Sequence, residues 1–102
     1  MYTQLVYTRV VIHIVELSSL AKKQLKKVPL FIVVSFQNWV EDVEERGLEE
    51  VRKIPGYHDE PLKGKLKSLR SIRLSRGYRA YYQIVEGTVK FINVERVDKH
   101  EY

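Results

Sequence analysis

Residues 68–97 read SLRSIRLSRGYRAYYQIVEGTVKFINVERV, and this stretch decides the fold. Three runs rich in β-branched and aromatic residues, from Ser68 to Ser75, Tyr78 to Val85 and Thr88 to Val97, are separated by Arg-Gly and Glu-Gly pairs. Alternating side chains bounded by such glycine turns are typical of strands joined by tight hairpins. The stretch therefore predicts an antiparallel meander of three strands.

The segments before the meander predict one strand and two helices. Residues 4–15 have strand composition, and Ser18 or Ser19 caps a helix that continues to about Val28, with Leu20 and Leu25 facing inward. Pro29 ends this helix.

The second helix is predicted from Leu30 to Glu45 because Phe36, Trp39, Val40 and Val43 form a helical stripe, in which Trp39 is a core residue. A further turn carries Leu48 and Val51, and residues 55–64 form a loop. The order β-α-α-β-β-β predicts an α+β fold, with the helix hairpin packed on one face of an antiparallel sheet and the other face open.

The chain has 102 residues, so we expect a single domain over residues 1–102. It contains no cysteine, and its three histidines, His13, His58 and His100, lack the spacing of metal ligands, so no metal and no cofactor is expected. No apolar run is long enough to span a bilayer and the start lacks the pattern of a secretory signal, which favours a cytoplasmic protein without a membrane partner.

Positive charge is concentrated in one segment. The net charge is +5, and residues 61–85 contain no acid but seven bases: Lys63, Lys65, Lys67, Arg70, Arg73, Arg76 and Arg79. A nucleic-acid backbone is the partner that such concentration favours. A solvated face that keeps the protein soluble is the alternative, and charge by itself does not separate the two.

Residues suited to cutting RNA lie in and around this segment. Metal-independent cleavage by the ribose 2′-OH needs a base, cations that face the phosphate, and an acid for the leaving 5′-oxygen. Glu60 precedes the basic run, Arg73 and Arg79 lie on adjacent predicted strands, and His100 and Tyr102 close the chain. Taken singly, each has an ordinary structural explanation, such as a surface ion pair or a terminal tail.

The stretch from Glu60 to Tyr82, EPLKGKLKSLRSIRLSRGYRAYY, resembles the RelE/ParE toxin superfamily, especially its YoeB and HigB branches. The resemblance covers residues 52–102 well, and the first half only through the order of its elements and residues 20–25. It implies a RelE-like fold, cleavage of messenger RNA, usually in the ribosomal A site, and a cognate antitoxin as partner.

The resemblance also implies residue roles. Glu60 matches the general base, Arg79 the arginine that faces the scissile phosphate, and Arg73 a supporting cation. Tyr102 and His100 match the terminal pair that stacks on the base and helps proton transfer. The residues expected to hold the RNA backbone are Lys63, Lys65, Lys67, Arg70 and Arg76.

Two points stay open. YoeB-like chains end in His-Tyr, whereas Glu101 separates His100 from Tyr102 here, so the proton donor is not assigned. His58 is a further candidate, because HigB-like toxins use a histidine in this loop.

Two other functions stay open beside RNA cleavage. A ParE-like DNA gyrase poison of the same fold has no need of the cleavage residues, and a purely DNA-binding relative would use only the basic sheet.

Overall fold

The computed structural model describes residues 11–64 and 68–97 of the chain. Its elements follow in the order β1 (Ile14–Leu17), α1 (Ser19–Leu25), α2 (Leu30–Arg46), α3 (Leu48–Val51), a 3-10 turn (Pro55–Tyr57), β2 (Glu60–Pro61), β3 (Arg70–Ser75), β4 (Tyr78–Val85) and β5 (Thr88–Arg96). The α+β class, the helix pair and the meander β3–β4–β5 are as the sequence predicts.

The sheet has five strands in the order β1-β5-β4-β3-β2. Strands β2 to β5 pair antiparallel, whereas β1 pairs parallel with β5. A fully antiparallel sheet was expected, and β1 departs from it because the helices and three strands between β1 and β5 act as the long crossover that a parallel pair requires. Strand β2 was expected to be loop.

Strand β1 ends two residues beyond its predicted end at Val15. Of the predicted strand over residues 4–15, residues 4–10 lie outside the described part of the chain, and β1 runs from Ile14 to Leu17. At its end the Ser18 backbone N–H donates to the Phe91 carbonyl, and the Ser18 hydroxyl donates to the Ile92 carbonyl at 2.7 Å. These bonds to β5 hold the start of α1 against the sheet.

Helix α1 is shorter than predicted and buries a different residue. The Ser18 hydroxyl accepts from the Ala21 backbone N–H at 3.0 Å, which is the expected N-cap, but the helix ends at Leu25 instead of Val28. Ala21 is buried and Leu20 is 51% exposed, so the prediction that Leu20 faces inward is wrong.

Helix α2 supplies the largest helical part of the core. Ile32, Phe36, Trp39 and Val43 are buried at helical spacing. The Trp39 ring lies 5.3 Å from the Phe91 ring, which confirms Trp39 as a core residue.

The helix-covered face of the sheet carries buried apolar side chains, including Ile72, Ala80, Tyr82 and Phe91. Because side chains alternate along a strand, the neighbouring residues of β3, β4 and β5 project from the opposite face. That opposite face, called the open face below, carries mostly polar side chains.

Candidate functional site on the open face

A polar row crosses four strands of the open face. Glu60 on β2 pairs with Ser71 on β3, Ser71 pairs with Tyr81 on β4, and Tyr81 pairs with Asn93 on β5. Paired residues of neighbouring strands project from the same face with Cβ atoms about 5 Å apart. A carboxylate, a hydroxyl, a phenol and an amide therefore lie side by side.

A charged row lies next to the polar one. Arg73 on β3 pairs directly with Arg79 on β4, and Arg79 pairs with Glu95 on β5. Two residues along a strand span about 7 Å, so the two rows are that far apart. The register thus brings together Glu60, Arg73 and Arg79, three of the residues that the sequence predicts for catalysis.

The opposed arginines are a local conflict in the sheet, because like charges directly opposite each other destabilise a strand pair. Both side chains are half-buried and hydrogen-bonded to neighbouring side chains: Arg79 donates to the Ser71 hydroxyl at 3.2 Å, and Arg73 donates to His58 Nε2 at 3.1 Å. Since arginine only donates, Nε2 of His58 is the acceptor. Such conflicts are expected at functional sites, and two adjacent guanidinium groups are suited to a phosphate.

The loop that carries His58 and Glu60 is anchored by the residue between them. The Asp59 side chain is fully buried and accepts from Arg70 Nε and from the Tyr82 hydroxyl, each at 2.6 Å. His58 adopts a left-handed conformation with φ of 48° and is exposed, and Glu60 is exposed at the start of β2. Asp59 therefore fixes the chain from the helix-covered side and leaves its two neighbours accessible.

The electrostatics of this anchor are reflected in two pKa shifts. Burial, followed by the charge and hydrogen bond of Asp59, raises the pKa of Tyr82 well above its usual value. Desolvation by burial lowers the pKa of Arg70, but the hydrogen bond and charge of Asp59 outweigh it and the net shift is upward. Both pKa shifts favour the state in which Tyr82 is neutral and Arg70 is charged, so that both donate hydrogen bonds to the Asp59 carboxylate.

Arg70 does not belong to the open face. It pairs with the buried Tyr82 across β3 and β4, which places it on the helix-covered side, and its side chain is 19% exposed in the ion pair with Asp59. Arg70 was predicted to hold RNA, but its charge is used to anchor the loop, so it is left out of the proposed RNA contacts.

The other predicted residues fall into two groups. Lys63 is exposed just after β2, and Arg76 is exposed in the turn between β3 and β4. The remaining predicted residues lie outside the described part of the chain: Lys65, Lys67, His100 and Tyr102, together with Glu101.

Sequence reasoning missed Tyr81, Asn93 and Glu95. Burial, then the charge and hydrogen bonding of Glu95, raises the pKa of Tyr81, while Arg79 acts in the opposite direction. The signal for Tyr81 was its position two residues after Arg79 on an alternating strand.

Within residues 11–64 and 68–97, no group of three or more histidine, aspartate or glutamate side chains is arranged to hold a metal ion. The helices in this part of the chain also lack the length and hydropathy needed to cross a membrane.

Solved structures with a similar fold include a toxin–antitoxin complex. The toxin chain of the RelBE2 toxin–antitoxin complex from Mycobacterium tuberculosis superposes with a TM-score of 0.64 at 23% identity, over 89% of this chain and 98% of that one. YafQ from Escherichia coli gives a TM-score of 0.65 at 15% identity, over 80% and 90% of the two chains. The archaeal RelE–RelB complex from Pyrococcus horikoshii gives 0.64 at 18% identity, over 85% and 97%.

No protein-family model and no curated protein sequence matches the chain. The chain has the fold of the RelE-type toxins, and the resemblance predicted from residues 60–82 is confirmed at the level of the fold.

Proposed function

We propose that this chain is a single-domain toxin of a type II toxin–antitoxin system, which acts in the cytoplasm and cleaves messenger RNA on the ribosome without a metal ion. The observation that carries the proposal is the Arg73–Arg79 pair on the open face, with Glu60 in the next row and His58 bonded to Arg73. The fold is compatible with this activity but does not fix it.

In the proposed reaction the scissile phosphate lies between Arg73 and Arg79. The two guanidinium groups stabilise the negative charge that builds up on the phosphate oxygens as the ribose 2′-OH attacks phosphorus. Glu60 takes the proton of the 2′-OH, and His100 or Tyr102 protonates the departing 5′-oxygen. The exposed Lys63 and Arg76, with Lys65 and Lys67, contact the neighbouring phosphates.

The test is induction of the chain in cells followed by mapping of messenger RNA 5′-ends, for the wild type, Glu60→Gln and Arg79→Ala. Removing a general base or one charge-stabilising donor costs about 100-fold or more in rate, so the cuts should disappear in both variants. Arg46→Ala is the matched control, because Arg46 is an exposed arginine at the end of α2, where it pairs with Asp42 at 3.8 Å.

Cuts inside translated codons that vanish in Glu60→Gln and Arg79→Ala but persist in Arg46→Ala would support the proposal. Growth arrest with intact messenger RNA would refute cleavage and indicate a gyrase poison. Normal growth on strong expression would refute toxicity altogether.

We also propose an antitoxin as partner, in line with the matched toxins from M. tuberculosis and P. horikoshii, which were solved as complexes. Leu30, Phe31 and Val34 are exposed on one side of α2, Leu30 by 76% and Phe31 by 63%. Phe31 also lines a groove of about 470 Å³ with Arg76 and Tyr78. Apolar side chains next to a basic one suit a segment that combines apolar and acidic residues and folds on binding.

The partner proposal predicts that Phe31→Ser remains toxic but is less well neutralised by the antitoxin when the two are co-expressed. Loss of a large buried aromatic anchor typically weakens binding at least tenfold. Full neutralisation of Phe31→Ser would show that the antitoxin binds elsewhere.

A further inference from the structure

A shallow groove on the open face lies beside the arginine pair. Its lining side chains are Leu62, Leu69, Tyr81, Asn93 and Glu95, and its volume is about 290 Å³. This volume is at the lower end of the range for ligand pockets, about 300–1,000 Å³, so the groove suits one small planar group. None of the catalytic roles proposed above uses these five residues.

The lining combines an aromatic ring and apolar walls with polar groups on one side. Tyr81 is half-buried on β4, and Leu62 and Leu69 flank it from the other side of the groove. Proteins that recognise single-stranded RNA stack an unpaired base on an aromatic side chain and read the edge of the base with hydrogen-bonding groups.

The polar groups of the groove come from β5. Asn93 and Glu95 are two residues apart on the same face, opposite Tyr81 and Arg79 respectively. The Glu95 carboxylate only accepts hydrogen bonds, whereas the Asn93 amide can donate or accept. An acceptor-only group is matched by the exocyclic amino group of cytosine, adenine or guanine. Uracil has no amino group, and its one donor on that edge, N3–H, lies between two carbonyl oxygens that a carboxylate repels.

The groove lies at a distance from the arginine pair that allows one nucleotide to place its base in the groove and its phosphate against Arg73 and Arg79. Arg79 and Tyr81 are neighbours on the same face of β4, about 7 Å apart along the strand, which is the scale of one nucleotide. Glu95 is opposite Arg79, so the same carboxylate borders both the phosphate position and the groove.

We propose that this groove binds one nucleobase of the RNA, stacked on Tyr81, and that Glu95 selects bases with an exocyclic amino group against uracil. The inference rests on the proposed ribonuclease function and assigns it a base preference that the catalytic residues do not supply. Tyr81 and Glu95 are specificity residues in this scheme.

The first test measures binding of AMP, CMP, GMP and UMP to the purified full-length chain by calorimetry. The Glu60→Gln variant is used as the parent protein, so that it can be produced without killing the cells. The parent should bind AMP, CMP and GMP about fivefold or more tighter than UMP. Glu95→Gln should abolish this difference, because a glutamine amide can donate to a uracil carbonyl and accept from its N3–H.

Three further variants separate the contribution of the Glu95 carboxylate from that of the Tyr81 ring. Glu86→Gln removes the same charge in the exposed β4–β5 turn, away from the groove, and should leave the preference unchanged. Tyr81→Leu should weaken all four nucleotides, whereas Tyr81→Phe, which keeps the ring, should retain most of the affinity. Equal binding of the four nucleotides by the parent, or no change in Glu95→Gln, would overturn the proposal.

The second test compares the bases at the cut sites mapped in cells for otherwise wild-type protein and Glu95→Gln. Uracil should be under-represented next to the cuts for the wild type, and Glu95→Gln should restore it. Cuts with an unchanged base profile would refute the groove as a base site while the ribonuclease function stands. Nucleotide discrimination in the first test without any cuts in cells would refute the ribonuclease function and leave the base site in place.

Discussion

Replacing Asp59 by alanine should destabilise the protein and detach the loop that carries His58 and Glu60. The buried carboxylate accepts two short hydrogen bonds, from Arg70 Nε and from the Tyr82 hydroxyl, both at 2.6 Å. His58, the other residue between the 3-10 turn and β2, is bonded to the sheet through the exposed 3.1 Å contact with Arg73, so Asp59 makes the buried attachment of this loop.

The magnitude follows from what the two donors lose. Tyr82 is fully buried, so its hydroxyl would be left unsatisfied at a cost of about 1–3 kcal/mol. Arg70 keeps 19% of its side chain exposed, and water therefore compensates part of the lost ion pair. We expect a total loss of about 3 kcal/mol in the free energy of unfolding, the lower end of the range for breaking a buried pair. Small domains have only about 5–15 kcal/mol in total.

The assay is urea unfolding followed by the fluorescence of Trp39, the single tryptophan, and by circular dichroism, with Glu60→Gln as the parent protein. Asp42→Ala is the matched control, because its carboxylate accepts from the Tyr57 hydroxyl at 2.7 Å but keeps 29% of its side chain exposed. The control should cost about 1 kcal/mol. A loss below about 1 kcal/mol for Asp59→Ala, with an unchanged urea dependence, would refute the anchor.

The remaining predictions concern a glycine, a tyrosine and the arginine pair. Gly47→Ala should cost about 1–3 kcal/mol in a urea titration, because φ is +90° and the new Cβ would lie 2.7 Å from a side-chain atom; an unchanged midpoint would contradict this strain. Burial, then the hydrogen bond to Asp42, raises the pKa of Tyr57 to about 12, so its neutral form is favoured in the folded state. The contribution of the neutral Tyr57 phenol to the free energy of unfolding is complete below pH 10 and is lost as the pH rises towards 12. Tyr57→Phe should therefore show a smaller fall in the free energy of unfolding between pH 9 and pH 11 than the parent protein. Arg73→Gln should greatly reduce cleavage yet raise the unfolding free energy by about 0.2–1 kcal/mol at low salt, since it removes the like charge opposite Arg79 while the glutamine amide can still donate to His58; a loss of stability would show that the pair is not repulsive.

Much of the fold was predictable because its signals are local. The turns at Arg76-Gly77 and Glu86-Gly87 divide alternating runs, and β4 has the predicted bounds. Helix α2 ends one residue beyond its prediction. Strand β2 was missed because two residues carry no periodicity, and its position depends on the tertiary contacts of Asp59.

The candidate site was predictable only in part, for a different reason. Glu60, Arg73 and Arg79 lie in the motif that carries the family resemblance, and the structure brings them together. Arg70 lies in the same motif and has the same charge, yet it projects to the other side of the sheet. Charge and proximity in sequence do not identify the face of a strand, whereas alternation relative to a buried neighbour does.

The groove residues show why part of the site depends on tertiary structure. From the β4–β5 turn the register runs regularly to the pair Tyr82–Phe91, and then a bulge shifts it so that Tyr81 pairs with Asn93. Without the bulge Tyr81 would pair with Ile92, and Asn93 and Glu95 would project into the core, where an unpaired carboxylate is very costly. The single extra residue therefore turns an amide and a carboxylate onto the open face beside Arg79. Bulges are frequent next to active sites because they redirect side chains in this way, and nothing in a strand of alternating residues marks where one occurs.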